Sequence, residues 1–297
     1  MSQWFDIFQK QHPYQIEALV HPLLVYKKLR VLVLREDQNH PEIPGNKFWK
    51  LKYNLKQAMT ERQDTLLSFG GAYSNHILAL AQAGQLLGLK TIGVIRGEPH
   101  DELNPILLKA VAAGMTLDYL SRSDYRLKHT EAITEALIAK HGRCFIVPEG
   151  GSNALAVKGT SEILPRINEP FDVVCAAVGT GGTLAGLIQS LQPRQQAIGF
   201  SVLKGGGFLQ EEVASWLTPK APSEKQWQLQ LDYHFGGYAK VKPELLNFIT
   251  QFHSDHRIPI EPVYTGKLFF GLFDLIEKDY FSPGQTILAI HTGGVHS

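Results

Sequence analysis

Cysteine is scarce in this chain: Cys144 and Cys175 are the only two in 297 residues. Two thiols do not make a disulfide framework, which excludes the cross-linked secreted scaffolds. Each lies in an apolar run, Cys144 in RCFIV and Cys175 in VVCAAV, so both are expected as buried thiols in a reducing compartment. Charge is low as well. Asp, Glu, Lys and Arg make up 19% of the residues while 44% are apolar, which excludes a solvated disordered chain and points to a compact body. A net charge of +1 offers no broad basic face, so neither nucleic acid nor an acidic membrane surface is an expected partner. No apolar run reaches membrane length, and MSQWFDIFQKQH lacks the basic start and long apolar stretch of a signal peptide. A cytoplasmic protein is expected.

Repeats and low-complexity linkers are also missing. No two histidines stand four apart with a carboxylate between them, so no catalytic metal is expected. The HSDH stretch at 253–256 reads as a surface helix end.

What the chain does have is alternation. DTLLSF (64–69), KTIGVI (90–95), MTLDYL (115–120) and RCFIVP (143–148) read as buried strands. SNHILALAQAGQLLG, DELNPILLKAVAAG and KHTEAITEALIAKHG separate them with helical periodicity. The second half repeats the rhythm with FDVVCAAV, QQAIGFSV, WQLQLDY and QTILAI as strands, and helices near 183–192, 206–217, 242–255 and 265–277. Such alternation means parallel sheets covered on both faces. Spread over this length, it suggests two α/β units, with the softest boundary near PEGGSNALA (148–156).

The densest chemical signal is VCAAVGTGGTLAGLI. An apolar strand ends at Val178, then Gly179, Thr180, Gly181, Gly182 and Thr183 precede a helix. Backbone N–H groups in such a loop converge on an anion at the positive end of the helix. The bland reading is a tight turn with glycines for packing. The dinucleotide pattern fails because Leu184 stands where the third Gly belongs, and no acid ends the next strand near Phe200 or Ser201. The nucleotide P-loop fails for want of Gly-Lys-Ser/Thr. A phosphate on a smaller cofactor remains.

FGGAYSNHILAL has the same shape, with Ser74, Asn75 and His76 opening a helix. These residues suit helix capping and a substrate carboxylate equally. EPVYTGKLFFG puts Tyr264, Thr265 and Lys267 at a helix start, and IHTGGVHS closes the chain with His291, Thr292, Gly293 and Gly294. Taken singly, these two read as a capping turn and a frayed end. In PGNKFWKLKYNL, Lys47 and Lys50 follow a Pro-Gly-Asn turn at a helix start. Periodicity does not choose between them, and Lys52 and Lys56 read as a solvated face.

In order, these fragments resemble one family: the pyridoxal-phosphate enzymes of the tryptophan-synthase-β group, in the branch of D-cysteine desulfhydrases and aminocyclopropane-carboxylate deaminases. GNKFWKLKYNL is similar to that branch's lysine segment, GGAYSNH to its Ser-Asn-His turn, VPEGGSNALA to its Gly-Gly-Ser segment and AVGTGGTLAG to its phosphate loop. EPVYTGK and HTGG are similar to its two C-terminal active-site turns.

The resemblance implies an α/β protein of fold type II, with two doubly wound domains built on parallel sheets. Residues 1–46 with 156–297 would form the larger, phosphate-binding domain, and 47–155 a smaller inserted one, with the active site in the cleft. It implies that Lys50 carries pyridoxal phosphate, Asn75 bonds its ring oxygen, Gly179 to Thr183 hold its phosphate and Thr292 faces its ring nitrogen. Ser74, with Ser152, would sit beside the substrate carboxylate, Asn75 and His76 would also bind substrate, and Tyr264 would bind substrate, lie near Lys50 and tune proton transfer. A freed Lys50 amine would take the Cα proton, with lysine pKa lowered by burial and by the charge of Lys47.

The implied partner is a small amino acid, and the implied assembly a homodimer. D-cysteine would give sulfide, pyruvate and ammonia. The deaminase subgroup carries Glu where this chain has Thr265, which favours the desulfhydrase reading. Aminocyclopropane-carboxylate deamination, a serine/threonine dehydratase-like reaction and cofactor binding without turnover are the rivals. Four departures stand out: Tyr73 replaces a Gln and should narrow the pocket, Trp49 replaces an Arg, few residues follow HTGG, and the segment after MTLDYL is short.

Overall fold

The computed structural model describes residues 2–8, 14–99, 101–218 and 226–294. The VHS end singled out in the sequence lies outside them. Along the chain run α1 (Ser2–Phe8), β1 (Ile16–Ala18), α2 (Pro22–Lys27), β2 (Arg30–Leu34) and α3 (Asn46–Thr60). Then come β3 (Thr65–Gly70), α4 (Asn75–Leu87), β4 (Lys90–Arg96), α5 (Pro105–Ala112), β5 (Met115–Leu120), α6 (Arg122–Arg126), α7 (Glu131–His141) and β6 (Phe145–Val147). The second half carries α8 (Ala154–Thr160), β7 (Val173–Val178), α9 (Gly182–Gln189), β8 (Gln196–Ser201), α10 (Leu209–Ser215), β9 (Trp227–Gln230), α11 (Pro243–His256), α12 (Thr265–Glu277) and β10 (Thr286–Ile290).

Each expected strand is present, and β1 and β2 are additional. The described residues fall into two compact units, one of 2–8 with 50–156, the other of 14–49 with 157 onward.

The smaller unit holds a fully parallel sheet in the order β5-β4-β3-β6. All six residues of β3 are buried, as a central strand covered on both faces requires. Ser74 caps α4, and Gly88 ends it in the left-handed region at φ 67°. Ile77 and Leu80 of α4 are fully buried, each contributing about 1.5–3 kcal/mol by burial. α1 joins this unit where the Trp4 indole donates to the Lys52 carbonyl at 2.8 Å. Lys52 itself is buried rather than solvated, and the Lys56 ammonium sits 5.0 Å from the Trp4 ring centroid. Their stems cover apolar surface, so the expected solvated face does not form.

In the larger unit the order is β1-β2-β10-β7-β8-β9. The sheet is parallel, as expected, except at its edge, where the additional strand β1 pairs antiparallel with β2. From β7 the chain proceeds to β8 on one side, while β10 lies on the other. The carboxyl ends of β7 and β10 therefore meet where the winding reverses, the place where open α/β sheets bind ligands. Gly179 follows β7, and His291 follows β10.

Two further readings are corrected. Cys175 is buried, but Cys144 is only partly so. The HSDH end is not simply a surface: His256 packs 4.7 Å from the Phe252 ring and 6.4 Å from that of Phe273.

Candidate active site

In the smaller unit, Lys50 is 3% exposed and its Nζ donates to Ser152 Oγ at 2.6 Å. The pairing rests on a reciprocal amide contact. Asn54 Nδ2 donates to Asn153 Oδ1 at 3.2 Å, and Asn153 Nδ2 to Asn54 Oδ1 at 2.7 Å. Asn54 also donates to the Lys50 carbonyl at 2.8 Å, so one side chain ties α3 to the turn that carries Ser152. That turn needs its glycines. Gly150 and Gly151 adopt φ 64° and 73°, and a methyl on Gly151 would lie 3.2 Å from His76 Cε1 and 3.5 Å from Lys50 Cβ.

The Ser74–His76 turn serves the helix first. Ser74 Oγ accepts the Ile77 N–H at 3.4 Å, the capping role its residue type allowed. Asn75 opens α4 and is partly buried. His76 is buried, with Nε2 2.7 Å from Ser68 Oγ, which in turn donates to the Val147 carbonyl at 2.7 Å. Its ring is thereby linked to β3 and β6. Tyr73, on the same turn, is 69% exposed.

In the larger unit, the glycine loop leaves β7 and enters α9 with Gly181 as N-cap at φ 78°. Having no side chain, Gly181 leaves the first N–H groups of α9 to an outside anion. Thr183 Oγ1 accepts from Asn46 Nδ2 at 2.8 Å, and the Lys47 ammonium donates to Asn46 Oδ1 at 2.8 Å. Thr180 is partly buried on the same loop, and Gly182 is buried. Tyr264 covers the start of the loop closely enough that a methyl on Gly179 would lie 3.1 Å from its ring. Thr292 is buried, and its carbonyl accepts the Asn46 N–H at 3.1 Å. Any Cβ at Gly45 would fall 2.2 Å from that carbonyl, so the Pro-Gly-Asn turn requires its glycine at φ 81°.

A carboxylate missed in the sequence organises the Tyr264 turn. Glu261 accepts N–H groups from Val263 at 2.6 Å and from Tyr264 and Thr265 at 2.8 Å. The Thr265 hydroxyl donates back to it at 3.2 Å. Burial pushes the Glu261 carboxyl up, while these donors pull it down. Desolvation holds the Lys47 ammonium down to about 8 against the attraction of Glu261.

Glu36 is a second buried carboxylate that the sequence did not flag. It accepts from Trp49 Nε1 at 2.5 Å, Asn39 Nδ2 at 2.6 Å and Arg166 Nη2 at 2.5 Å. The Arg166 guanidinium also stacks 4.4 Å from the Trp49 ring. Trp49 is thus held by both members of this ion pair. Tyr238, also unflagged, stands edge-on to Tyr264 with ring centroids 5.9 Å apart. Its GGY setting within LDYHFGGYAK was the available signal.

The family described as pyridoxal-phosphate dependent enzyme matches residues 19–293. The chain belongs to that family. A mitochondrial bifunctional D-cysteine desulfhydrase/1-aminocyclopropane-1-carboxylate deaminase of Arabidopsis thaliana is 30% identical over 89% of this chain and 72% of its own length. A Pyrococcus furiosus protein provisionally named 1-aminocyclopropane-1-carboxylate deaminase is 33% identical over 89% of this chain and 84% of its own. Among solved structures, an ACC deaminase homologue superposes with a TM-score of 0.79 at 29% identity, covering 99% of this chain and 95% of that one. The fold is therefore fold type II, and this protein is a pyridoxal-phosphate-dependent enzyme.

The residues present fit that cofactor. A buried lysine amine suits its aldehyde, and the glycine-capped start of α9 at the sheet's switch point suits its phosphate. Among the described residues, no helix is long and apolar enough to cross a membrane.

Proposed function

We propose that this lyase removes the β-substituent of D-cysteine, or of a similar β-substituted D-amino acid, with water converting the product to pyruvate and ammonia. Lys50 would hold the cofactor, with Asn75, Gly179 to Thr183 and Thr292 around it. Pyridoxal phosphate supplies an electron sink for charge at the substrate Cα. Lys50 Nζ takes the Cα proton, and Ser152 Oγ orients that amine at 2.6 Å. Ser74, Asn75, His76 and Ser152 meet the substrate carboxylate. Tyr264, fixed by the Glu261 turn, guides the proton. The sulfur leaves with the electrons of the C–S bond.

One observation carries the choice of substrate. The residue after Tyr264 is Thr265, a buried hydroxyl bonded to Glu261, and so brings no carboxylate to protonate a ring nitrogen. A softer electron sink suffices for a thiolate, which departs readily, but not for opening a cyclopropane. The similarity to deaminase relatives favours cyclopropane opening as a second reading.

The deciding experiment measures keto acid and ammonia from D-cysteine and from 1-aminocyclopropane-1-carboxylate side by side at matched concentration. Faster turnover of the cyclopropane acid would overturn the proposal. Borohydride reduction followed by peptide mapping should place the cofactor on Lys50, and label on Lys47 would refute that role.

The larger body, 1–46 with 156–297, is assigned the phosphate and the inserted body, 47–155, the lysine. α1 is the exception to these bounds, since its Trp4–Lys52 contact groups it with the inserted body. A cytoplasmic homodimer completes the reading, supported by two free cysteines and by the resemblance. Sedimentation at micromolar concentration tests the dimer.

A further inference from the structure

Lys267 has no exposed surface, yet no carboxylate bonds its ammonium among the described residues. Its Nζ donates instead to two backbone carbonyls, His234 at 2.9 Å and Gly237 at 2.8 Å. Both belong to the turn that joins β9 to α11. In that turn Phe235, Gly236, Gly237 and Ala239 adopt φ 54°, 102°, 123° and 54°. Phe235 and Ala239 carry a Cβ in the left-handed region, a strained state that persists only where the surroundings hold it. Phe235 gives one anchor, edge-on to Phe270 at 4.9 Å. Lys267 gives the other.

The Gly237 carbonyl belongs to the peptide bond that begins Tyr238. Holding it fixes the plane from which Tyr238 departs, and Tyr238 meets the Tyr264 ring at 5.9 Å and 71°. Lys267 and Tyr264 stand one turn apart at the start of α12, so a single helix end sets both tyrosines. An ammonium has three donors and suits two diverging carbonyls.

We propose that Lys267 is a positioning residue that holds the 232–240 turn and thereby sets Tyr238 against Tyr264. The kinetic half of this inference rests on the proposed role of Tyr264, whereas the holding half does not.

The test uses the full chain, with and without pyridoxal phosphate, as Lys267→Met and Lys267→Gln. Methionine keeps an unbranched stem and removes every donor, while glutamine keeps a neutral donor. Amide hydrogen exchange over 234–240 should quicken about tenfold in the methionine variant and less in the glutamine variant, while α12 stays protected. The kcat/KM for keto-acid release should fall with Lys267→Met, with no further fall when Lys267→Met is added to Tyr238→Ala.

Wild-type exchange in this turn in both variants would overturn the holding role. Independent, multiplicative losses in the double variant would overturn the action through Tyr238. If the methionine variant does not fold, the same two readouts on the glutamine variant decide. Quickened exchange without any D-cysteine turnover in the wild type would keep the holding role and reject the elimination reading.

Discussion

Gly181→Ala should lower stability, cofactor affinity or both, by an amount set by the loop's own geometry. Gly181 sits at φ 78°, where an L-residue costs about 1–2 kcal/mol. The new methyl would fall 2.8 Å from Val213 Cγ2 and 3.2 Å from Trp216 Cζ3. Comfortable carbon contacts begin near ~3.5 Å, so Val213 must move by about 0.7 Å. Val213 is fully buried in α10 and cannot swing into solvent. Overpacking of this kind costs about 1–3 kcal/mol. The two terms together come to about 2–5 kcal/mol.

The cost can surface in two places. If the loop keeps its shape, the fold carries the strain, and Tm should fall by about 4–10 °C at roughly 2 °C per kcal/mol for a chain of this size. If the loop yields, its N–H groups no longer converge. Affinity for pyridoxal phosphate then drops, by up to about four thousandfold at tenfold per 1.4 kcal/mol. Thermal melting of the cofactor-free protein and a fluorescence titration with pyridoxal phosphate, on one preparation, separate the two. Gly71→Ala is the control, because nothing lies within 4 Å of the added methyl; it should stay within about 0.5 kcal/mol of wild type. A Gly181→Ala protein with wild-type Tm and wild-type affinity would refute the reasoning.

Other outcomes follow from the same structure. Trp49→Phe removes one donor from the buried Glu36 and should cost about 1–3 kcal/mol; an unchanged denaturation midpoint would refute that. Lys47 titrates near about 8 when folded, below its ordinary 10.5, so the unfolded chain binds that proton more tightly between these values. Relative to Lys47→Met, the wild type should therefore gain stability as pH rises from about 8 to 10.5, lose it over the same range as pH falls, and show no further change below about 8; a flat difference would contradict it. A thiol reagent should label partly buried Cys144 slowly and Cys175 only after denaturation, since burial pushes both thiols up; rapid labelling of two native thiols would contradict this.

Local patterns reached far into this fold but stopped at particular places. The periodicity of TGKLFFGLFDLIE bounded α12 correctly because its apolar face recurs at helical spacing. RVLVL was passed over as β2 because it follows the apolar PLLVYK with only two residues between, so nothing in the pattern breaks. The partners that shape the site were beyond any local window. Asn46 reaches Thr183 across 137 positions, and Asn54 reaches Asn153 across 99. Lys52 shows the same limit from the other direction: a charged residue type announced solvent, while its packing decided burial.

Thr265 joins the two levels. Its residue type was legible as the absence of a carboxylate, and the proposed choice of leaving group rests on that absence. Its bonds were not legible. The hydroxyl accepts from the Glu261 N–H at 2.9 Å and donates to the Glu261 carboxylate at 3.2 Å, closing the cap that sets Tyr264. A glutamate at 265 would bring a second carboxylate against one that burial already pushes up, and would remove the hydroxyl that completes the cap. The chemistry of the site and the stability of its helix start are therefore tied through one side chain. On the proposed reading, in which residue 265 sets the electron sink, changing that sink requires rebuilding Glu261 together with residue 265.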